Sequence, residues 1–261
     1  TFLTSYDFPT AQFAEAAGMD MLLVGDSLGM CVYGYPGTVP VTMDQCICHA
    51  EAVRRGAPNT FVVGDMPFMS YQSSIEKAVE NAGRFLKEAG CDAIKLEGGV
   101  RVGPQIRAIV DAGIIVMGHI GLTPQSSGQL GGHKAQGRTV ESARAVVEDA
   151  LAVQAAGAHM ILLEAIPPEV AGYIRRTLAI PALSIGAGLD CDGQLLIVSD
   201  MIGQFQAFTP KFVKKYCNVA EVVTNAMKQY VAEVRGNKFP EDEHCYHMLP
   251  GELEKFQAEY K

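Results

Sequence analysis

The sequence predicts one α/β domain, a (βα)8 barrel of the TIM type. Eight short and nearly continuous apolar segments recur at even intervals between residues 2 and 198, as expected for strands that are buried on both faces. Stretches with helical spacing lie between most of these segments, which favours parallel strands joined by helices. An open doubly wound sheet is the alternative. Against it, no Gly-x-Gly-x-x-Gly motif follows the first strand, and Gly186-x-Gly188 comes late and precedes Leu189-Asp190.

The elements can be assigned in chain order. Strands are predicted at residues 2–6, 21–25, 61–64, 93–96, 114–118, 160–163, 182–185 and 195–198. Helical spacing is clearest at residues 74–89, 140–156 and 169–178. Two connections, residues 27–41 and 121–138, are longer than the others, and long loops in a compact domain are usually functional. No domain boundary is predicted within 1–261, although a helical extension is expected from about residue 210.

Composition and charge exclude several classes of protein. The 261 residues are 48% hydrophobic and 19% charged, which is typical of globular domains. A net charge of -8 without a basic cluster argues against nucleic acid as a partner. Asp20 and Asp26 interrupt the strongest apolar run, so no membrane span is predicted.

The cysteines and the N-terminal residues of the sequence provide evidence on the cellular location of the protein. Seven cysteines without disulfide-framework spacing favour a reducing compartment, and we therefore expect a cytoplasmic protein. The first residue already adjoins a predicted strand, so we expect that an N-terminal segment is missing. Organellar targeting accordingly stays open.

Ionisable side chains stand where the predicted strands end. They are Asp26, which is followed by Ser27, after the second strand, Asp65 after the third, Lys95 and Glu97 at the fourth, His119 at the fifth and Glu164 at the sixth. The carboxyl ends of barrel strands meet on one face, where (βα)8 enzymes carry their active sites. The pattern therefore predicts that these groups converge.

Structural interpretations of the same residues remain open. Any one of the strand-end carboxylates could cap the following helix, and His119 could be a hydrogen-bonded core histidine. Lys95 and Glu97 are two residues apart, so both point to one face, either the barrel interior or the outer helix layer. A salt bridge between them would explain two buried charges. A purely structural role for any one of these six residues is plausible, but a purely structural role for all six at once is much less favoured.

The chemistry of this residue set indicates a metal-assisted reaction. Two or three carboxylates without converging Cys or His residues form an oxygen-rich site that suits Mg²⁺ better than zinc. Such an ion, chelated by a 2-oxo acid, would polarise the ketone and ease removal of the neighbouring carbon-bound proton. A lysine could hold the substrate carboxylate, and a partly buried glutamate could transfer the proton. The residues thus predict enolate chemistry on a small oxo acid.

Nine short stretches, in order along the chain, carry a family resemblance. They are residues 4–7 (TSYD), 24–30 (VGDSLGM), 53–58 (VRRGAP), 65–69 (DMPFM), 95–99 (KLEGG), 118–125 (GHIGLTPQ), 136–138 (QGR), 185–188 (IGAG) and 243–244 (EH). Together they resemble the ketopantoate hydroxymethyltransferase family. The resemblance implies a barrel of the phosphoenolpyruvate mutase/isocitrate lyase-like kind.

The resemblance also implies an activity and a set of site residues. The family transfers a hydroxymethyl group from 5,10-methylenetetrahydrofolate to 3-methyl-2-oxobutanoate through a Mg²⁺-stabilised enolate, giving 2-dehydropantoate and tetrahydrofolate in the first step of pantothenate biosynthesis. Asp26 and Asp65 resemble the metal ligands, and Glu97 resembles the group that completes the metal environment through water. The implied oxo-acid contacts are Asp26, Ser27, Asp65, Lys95 and His119, and the implied proton acceptor is Glu164. The family assembles as a homodecamer.

Two other interpretations compete with this one. A Mg²⁺-dependent lyase or mutase acting on another 2-oxo acid would carry a Lys-Lys-Cys-Gly-His loop. The comparable stretch here, Lys214-Lys-Tyr-Cys217, comes too late and lacks the Gly-His. A barrel without catalytic function, acting in binding or assembly, predicts loss of the strand-end carboxylates, and all of them are present.

Overall fold

The computed structural model describes residues 1–129, 131–132 and 134–260. Eight parallel strands close into a barrel in the order of the sequence, which confirms the predicted fold class. The strands are β1 (Phe2–Thr4), β2 (Met21–Val24), β3 (Phe61–Asp65), β4 (Ala93–Glu97), β5 (Ile115–Gly121), β6 (Met160–Glu164), β7 (Ala182–Ile185) and β8 (Gly193–Leu196). Leu130 and His133, in the predicted long loop 121–138, lie outside the described residues.

Helices connect the strands, and two more follow the barrel. They are α1 (Phe8–Ala16), α2 (Leu28–Cys31), α3 (Met43–Gly56), α4 (Ile75–Lys87), α5 (Gly103–Asp111), α6 (Val140–Ala155), α7 (Pro168–Thr177), α8 (Val198–Met201), α9 (Val219–Arg235) and α10 (Glu252–Glu259). The helices predicted from spacing at residues 74–89, 140–156 and 169–178 correspond to α4, α6 and α7.

Polar caps set where these helices begin. The Thr42 hydroxyl accepts the Gln45 backbone N–H at 3.2 Å, and the Gln45 side chain accepts the Thr42 N–H at 2.9 Å. This capping box satisfies two donors that the first turn of α3 leaves without partners. Ser74 caps α4 in the same way by accepting the Lys77 N–H at 3.2 Å. The side chains of Thr42 and Ser74 therefore set the first residues of α3 and α4.

The eighth strand differs from the prediction. It spans Gly193–Leu196 rather than residues 195–198, because helix α8 already begins at Val198. The Val198 N–H donates to the side-chain hydroxyl of Thr4 at 3.0 Å rather than to a backbone carbonyl of the neighbouring strand β1. The apolar run that predicted the strand therefore continues into a helix.

The barrel encloses an apolar layer below a polar one. Inward-facing side chains from all eight strands form one buried cluster, which includes Val63, Ala93, Met117 and Leu162. Side chains alternate along a strand, so the residue two positions after each of these four also faces inward. Those residues are Asp65, Lys95, His119 and Glu164. The interior thus changes from apolar to charged at the carboxyl ends of the strands.

The chain divides into two compact units. The first comprises residues 1–216 and contains the barrel, and the second begins at Cys217 and contains α9 and α10. A single domain over 1–261 with a helical extension from about residue 210 stays a prediction, and the first helix after that position, α9, begins at Val219. Over the described part of the chain, no helix combines the length and apolar character that crossing a bilayer requires.

Candidate active site

Strand register brings the strand-end residues together. Asp65 of β3 pairs with Lys95 of β4, and Glu97 of β4 pairs with His119 of β5. On the next two neighbouring strands, Gly121 of β5 pairs with Glu164 of β6. Lys95 and Glu97 therefore face the barrel interior, which decides between the two faces that their spacing allowed.

Asp26, Asp65 and Lys95 form a buried charged group. Lys95 Nζ lies 2.7 Å from Asp65 Oδ1, and Asp65 Oδ2 accepts the Asp26 backbone N–H at 2.9 Å. Burial, together with the charges of Asp65 and Glu97, raises the pKa of Asp26 well above its usual value. Burial also raises the pKa of Asp65, although Lys95 opposes this shift. The two aspartates are thus costly to hold charged without a further cation.

Glu97, His119 and Glu164 form a second group around the imidazole. His119 Nε2 lies 3.1 Å from Glu164 Oε2, and Nδ1 lies 3.5 Å from Glu97 Oε1. Lys95 Nζ is 3.3 Å from the same Nδ1, so this group adjoins the first one. Burial and the Lys95 charge lower the pKa of His119, but Glu164 and Glu97 outweigh them and raise it to about 9. His119 is therefore held as an imidazolium between two carboxylates.

Two residues that the site prediction omitted also belong here. The Gln125 side chain donates to Asp26 Oδ2 at 2.9 Å, and its backbone N–H donates to Glu97 Oε2 at 3.0 Å. The Tyr71 hydroxyl donates to Gln125 Oε1 at 2.7 Å and accepts the Glu97 N–H at 3.1 Å. Gln125 ends the GHIGLTPQ stretch, which is a signal that could have identified it. Tyr71 has no comparable signal.

The structural alternatives are mostly resolved by these contacts. Ser27 rather than Asp26 occupies the N-cap position of α2, without a capping hydrogen bond, and its hydroxyl lies 2.8 Å from the Tyr6 hydroxyl. Pro167 occupies the N-cap position of α7, so Glu164 is not a helix cap. Lys95 does form a buried salt bridge, but its partner is Asp65 rather than Glu97. All six ionisable groups therefore meet at one end of the barrel for reasons other than capping.

A cavity opens beside Glu97 and Gln125. Its volume is about 470 Å³, within the usual size range of small-molecule sites. Its walls combine apolar side chains such as Phe68 and Val102 with polar ones that include Gln72, Arg101 and Gln105. The site therefore has room for a ligand larger than a short oxo acid.

The donor set fits a hard divalent ion that retains water ligands. In the ranges that the structure describes, no three His, Cys, Asp or Glu side chains are arranged to hold a metal ion. Mg²⁺ commonly uses only one or two carboxylates together with water and substrate oxygens. Asp26 and Asp65 meet that requirement. Burial, with the charge of Glu97 as a smaller cause, raises the pKa of both side chains, so a bound cation would stabilise their charged forms. The part assigned to Glu97 stays a prediction.

A closed parallel barrel with carboxylates, a lysine and a histidine buried at the carboxyl ends of its strands has the architecture of a barrel enzyme. Sequence comparison makes the assignment narrower. The sequence profile of the family described as ketopantoate hydroxymethyltransferase matches residues 1–242. The chain belongs to the ketopantoate hydroxymethyltransferase family, as the sequence resemblance predicts.

Individual relatives carry names that are consistent with this family. The chain is 67% identical to the 3-methyl-2-oxobutanoate hydroxymethyltransferase of Alkaliphilus metalliredigens, over 100% of this chain and 93% of the relative. It is 53% identical to the enzyme of the same name from Moorella thermoacetica, over 94% of this chain and 91% of that relative.

Solved structures with low sequence identity share the fold. Phosphonopyruvate hydrolase in complex with oxalate and Mg²⁺ superposes with a TM-score of 0.61 at 14% identity, covering 99% of this chain and 90% of the hydrolase. 2,3-Dimethylmalate lyase, a member of the PEP mutase/isocitrate lyase superfamily, gives a TM-score of 0.57 at 19% identity, with 99% and 93% coverage. These likenesses confirm the predicted kind of barrel.

Proposed function

We propose that the chain is a 3-methyl-2-oxobutanoate hydroxymethyltransferase that uses 5,10-methylenetetrahydrofolate as the one-carbon donor. The observation that carries the proposal is the continuous array of charged groups from Asp26 to Glu164 at the barrel mouth, in a chain of this family. In the net reaction, C3 of the oxo acid loses a proton and bonds to the one-carbon unit. That unit leaves the folate nitrogens, and water supplies the hydroxyl group.

Asp26 and Asp65 would hold a divalent cation, with Glu97 contributing through water. When bound, this ion would polarise the ketone oxygen and make the neighbouring carbon-bound proton more acidic. Lys95 and the charged form of His119 supply positive charge for the substrate carboxylate. Both are fixed by contacts to Asp65, Glu97 and Glu164, so they need little reorganisation when the substrate binds.

Glu164 would accept the proton from C3. Its side chain is 14% exposed, compared with 2% for His119, so it is the most accessible carboxylate of the array. His119 Nε2 lies 3.1 Å from one of its oxygens, and this ion pair would limit how far the carboxylate can turn. A base needs this combination of access to the substrate and a fixed orientation.

The cavity beside Glu97 and Gln125 would take the folate co-substrate. It adjoins the charged array, and the Gln72 and Gln105 side chains in its walls can pair with the donors and acceptors of a pterin ring. The one-carbon unit would thereby approach the deprotonated carbon from the open side of the barrel.

A solvent-exchange assay tests the proposal. The C3 proton of 3-methyl-2-oxobutanoate is followed by NMR in D₂O, with and without Mg²⁺ and without folate. We expect Mg²⁺-dependent exchange in the wild type and none in Asp26→Ala or Asp65→Ala, with weakened Mg²⁺ binding in both. The exposed Asp44→Asn variant serves as a control. Wild-type Mg²⁺ affinity in both Ala variants would refute the ligand assignment, and metal-independent exchange would refute the metal's role.

Assembly and location are further parts of the proposal. Helix α9 carries exposed apolar side chains, including Val222, Met227 and Tyr230, which support association into the decamer that the family resemblance implies. Sedimentation analysis of the full chain tests this. A cytoplasmic location is supported by the cysteine pattern, and fractionation of the source cells tests it.

A further inference from the structure

Gln125 lies at the carboxyl end of the barrel, in a short 3-10 turn (Pro124–Ser126) that follows strand β5. Its side chain is buried, although the residue belongs to a loop. A buried carboxamide has two donor hydrogens and a carbonyl oxygen, and leaving them without partners is costly. The contacts of Gln125 therefore have to be accounted for.

Every polar atom of the Gln125 carboxamide has a partner. Nε2 donates to Asp26 Oδ2 and to the Met66 carbonyl, both at 2.9 Å. Oε1 accepts the Tyr71 hydroxyl at 2.7 Å and the Gln72 side-chain N–H at 3.3 Å. Rotating the amide by 180° would bring Oε1 against a carboxylate and a carbonyl oxygen, which repel it. The orientation of the group is thus fixed by its surroundings.

The same residue reaches a second carboxylate through its backbone. The Gln125 N–H donates to Glu97 Oε2 at 3.0 Å. The Tyr71 hydroxyl, which donates to Gln125, also accepts the backbone N–H of Glu97. Gln125 therefore joins the ends of three strands, through Asp26 after β2, Met66 after β3 and Glu97 of β4.

We propose that Gln125 is a positioning residue that fixes the Asp26 carboxylate for divalent-cation binding. The inference rests on the proposed function, because it takes Asp26 as a metal ligand. Gln125 acts through Asp26 and Glu97, and it needs no contact with the substrate. Partners of this kind hold a metal-binding carboxylate in one orientation, and their loss commonly costs roughly 10- to 100-fold in metal affinity.

The test measures Mn²⁺ binding to the full chain without substrate, by the electron paramagnetic resonance signal of the free ion. Gln125→Leu keeps the approximate volume and removes the hydrogen bonds. Gln125→Asn keeps an amide that is one methylene too short to reach Asp26. We expect both to raise the Mn²⁺ dissociation constant by roughly 10- to 100-fold. Because the loss is in affinity, high Mg²⁺ concentrations should restore the rate of C3-proton exchange.

Asn81→Leu is the matched control for loss of a buried amide. The Asn81 side chain is also buried and donates to the Ser70 carbonyl at 2.6 Å, without a contact to the charged array. This variant should lower the melting temperature and retain the wild-type Mn²⁺ affinity. If both Gln125 variants also retain that affinity, the positioning role is overturned. The positioning role is also overturned if Asn81→Leu loses as much Mn²⁺ affinity as the two Gln125 variants do.

Asp26→Asn separates this inference from the proposed function. If Asp26→Asn abolishes Mn²⁺ binding and the Gln125 variants do not weaken it, only the positioning role fails. If the wild type binds no Mn²⁺, or Asp26→Asn binds it as the wild type does, the metal proposal fails and the inference fails with it.

Discussion

Lys95 Nζ lies 2.7 Å from Asp65 Oδ1, and the two side chains are only 3% and 2% exposed. The pair follows from strand register, because Lys95 and Asp65 are directly opposed on β4 and β3. The sequence pattern paired Lys95 with Glu97, the nearest carboxylate along the same strand. Glu97 instead contacts His119 on the next strand and the Gln125 backbone. Opposite charges at this site are therefore paired between neighbouring strands rather than along a single strand.

Replacing Lys95 with Met should destabilise the fold and weaken binding of the oxo acid. Removing one partner of a buried ion pair leaves the other charge uncompensated, which costs about 3–5 kcal/mol. Urea unfolding at neutral pH measures the loss, and Lys77→Met, on the exposed side of α4, is the control. A loss of under about 1 kcal/mol, typical of a surface pair, would contradict the prediction.

The binding half of this prediction is measured separately with Lys95→Ala. If Lys95 holds the oxo-acid carboxylate as proposed, the dissociation constant for 3-methyl-2-oxobutanoate should rise far more than that for the folate. An equal rise for both ligands would indicate a general disruption of the site.

Replacing Glu164 with Gln should retain oxo-acid binding and slow exchange of the C3 proton. The amide keeps the shape next to His119 but cannot accept the proton, and loss of a general base costs roughly 10²- to 10⁴-fold in rate. NMR exchange in D₂O measures the rate, and Glu169→Gln, in the exposed first turn of α7, is the control. A rate close to that of the wild type would assign the base to another group.

Local sequence signals predicted the barrel and most of the charged array. Runs of apolar residues gave the strands, and the polar residue that follows each run gave Asp26, Asp65, His119 and Glu164. The inward direction of Lys95 could not be read in this way, since alternation defines two faces without saying which one a closed barrel encloses. The Gln125–Asp26 hydrogen bond joins residues 99 positions apart in the sequence. The periodicity of a short stretch of sequence cannot indicate a contact over that separation.

Acid should remove a stabilising contact at Asp192. Although burial raises its pKa, hydrogen bonds from the Ala182 N–H at 2.8 Å and from Arg175 outweigh burial and lower the pKa below the usual value. The folded chain therefore binds this proton less readily than the unfolded chain. The contribution is present above the unfolded pKa of about 4 and is lost as the pH falls through the lower folded value.

Unfolding curves of Asp192→Asn against the wild type measure this effect. The wild type should be more stable at pH 7, and the difference should shrink steadily below about pH 4. Asp111→Asn, an exposed substitution at the last residue of α5, is the control for loss of a surface carboxylate. A difference that stays constant down to pH 2 would mean that Asp192 has the same pKa in both states.

Gly64 in β3 should tolerate no side chain unless Phe85 is also changed. A Cβ built at Gly64 would lie 2.3 Å from Phe85 Cδ1, and Phe85 is fully buried in α4. Gly64→Ala should therefore cost about 1–3 kcal/mol through overpacking. In the double variant Gly64→Ala, Phe85→Leu, the smaller side chain leaves room for the methyl group, so the double variant should be more stable than the two separate losses predict.

Gly83→Ala is the control, because it lies in the middle of α4 with nothing within 4 Å, and it should gain about 0.5–1 kcal/mol. Strictly additive losses in the double variant would show that β3 and α4 adjust independently at this contact.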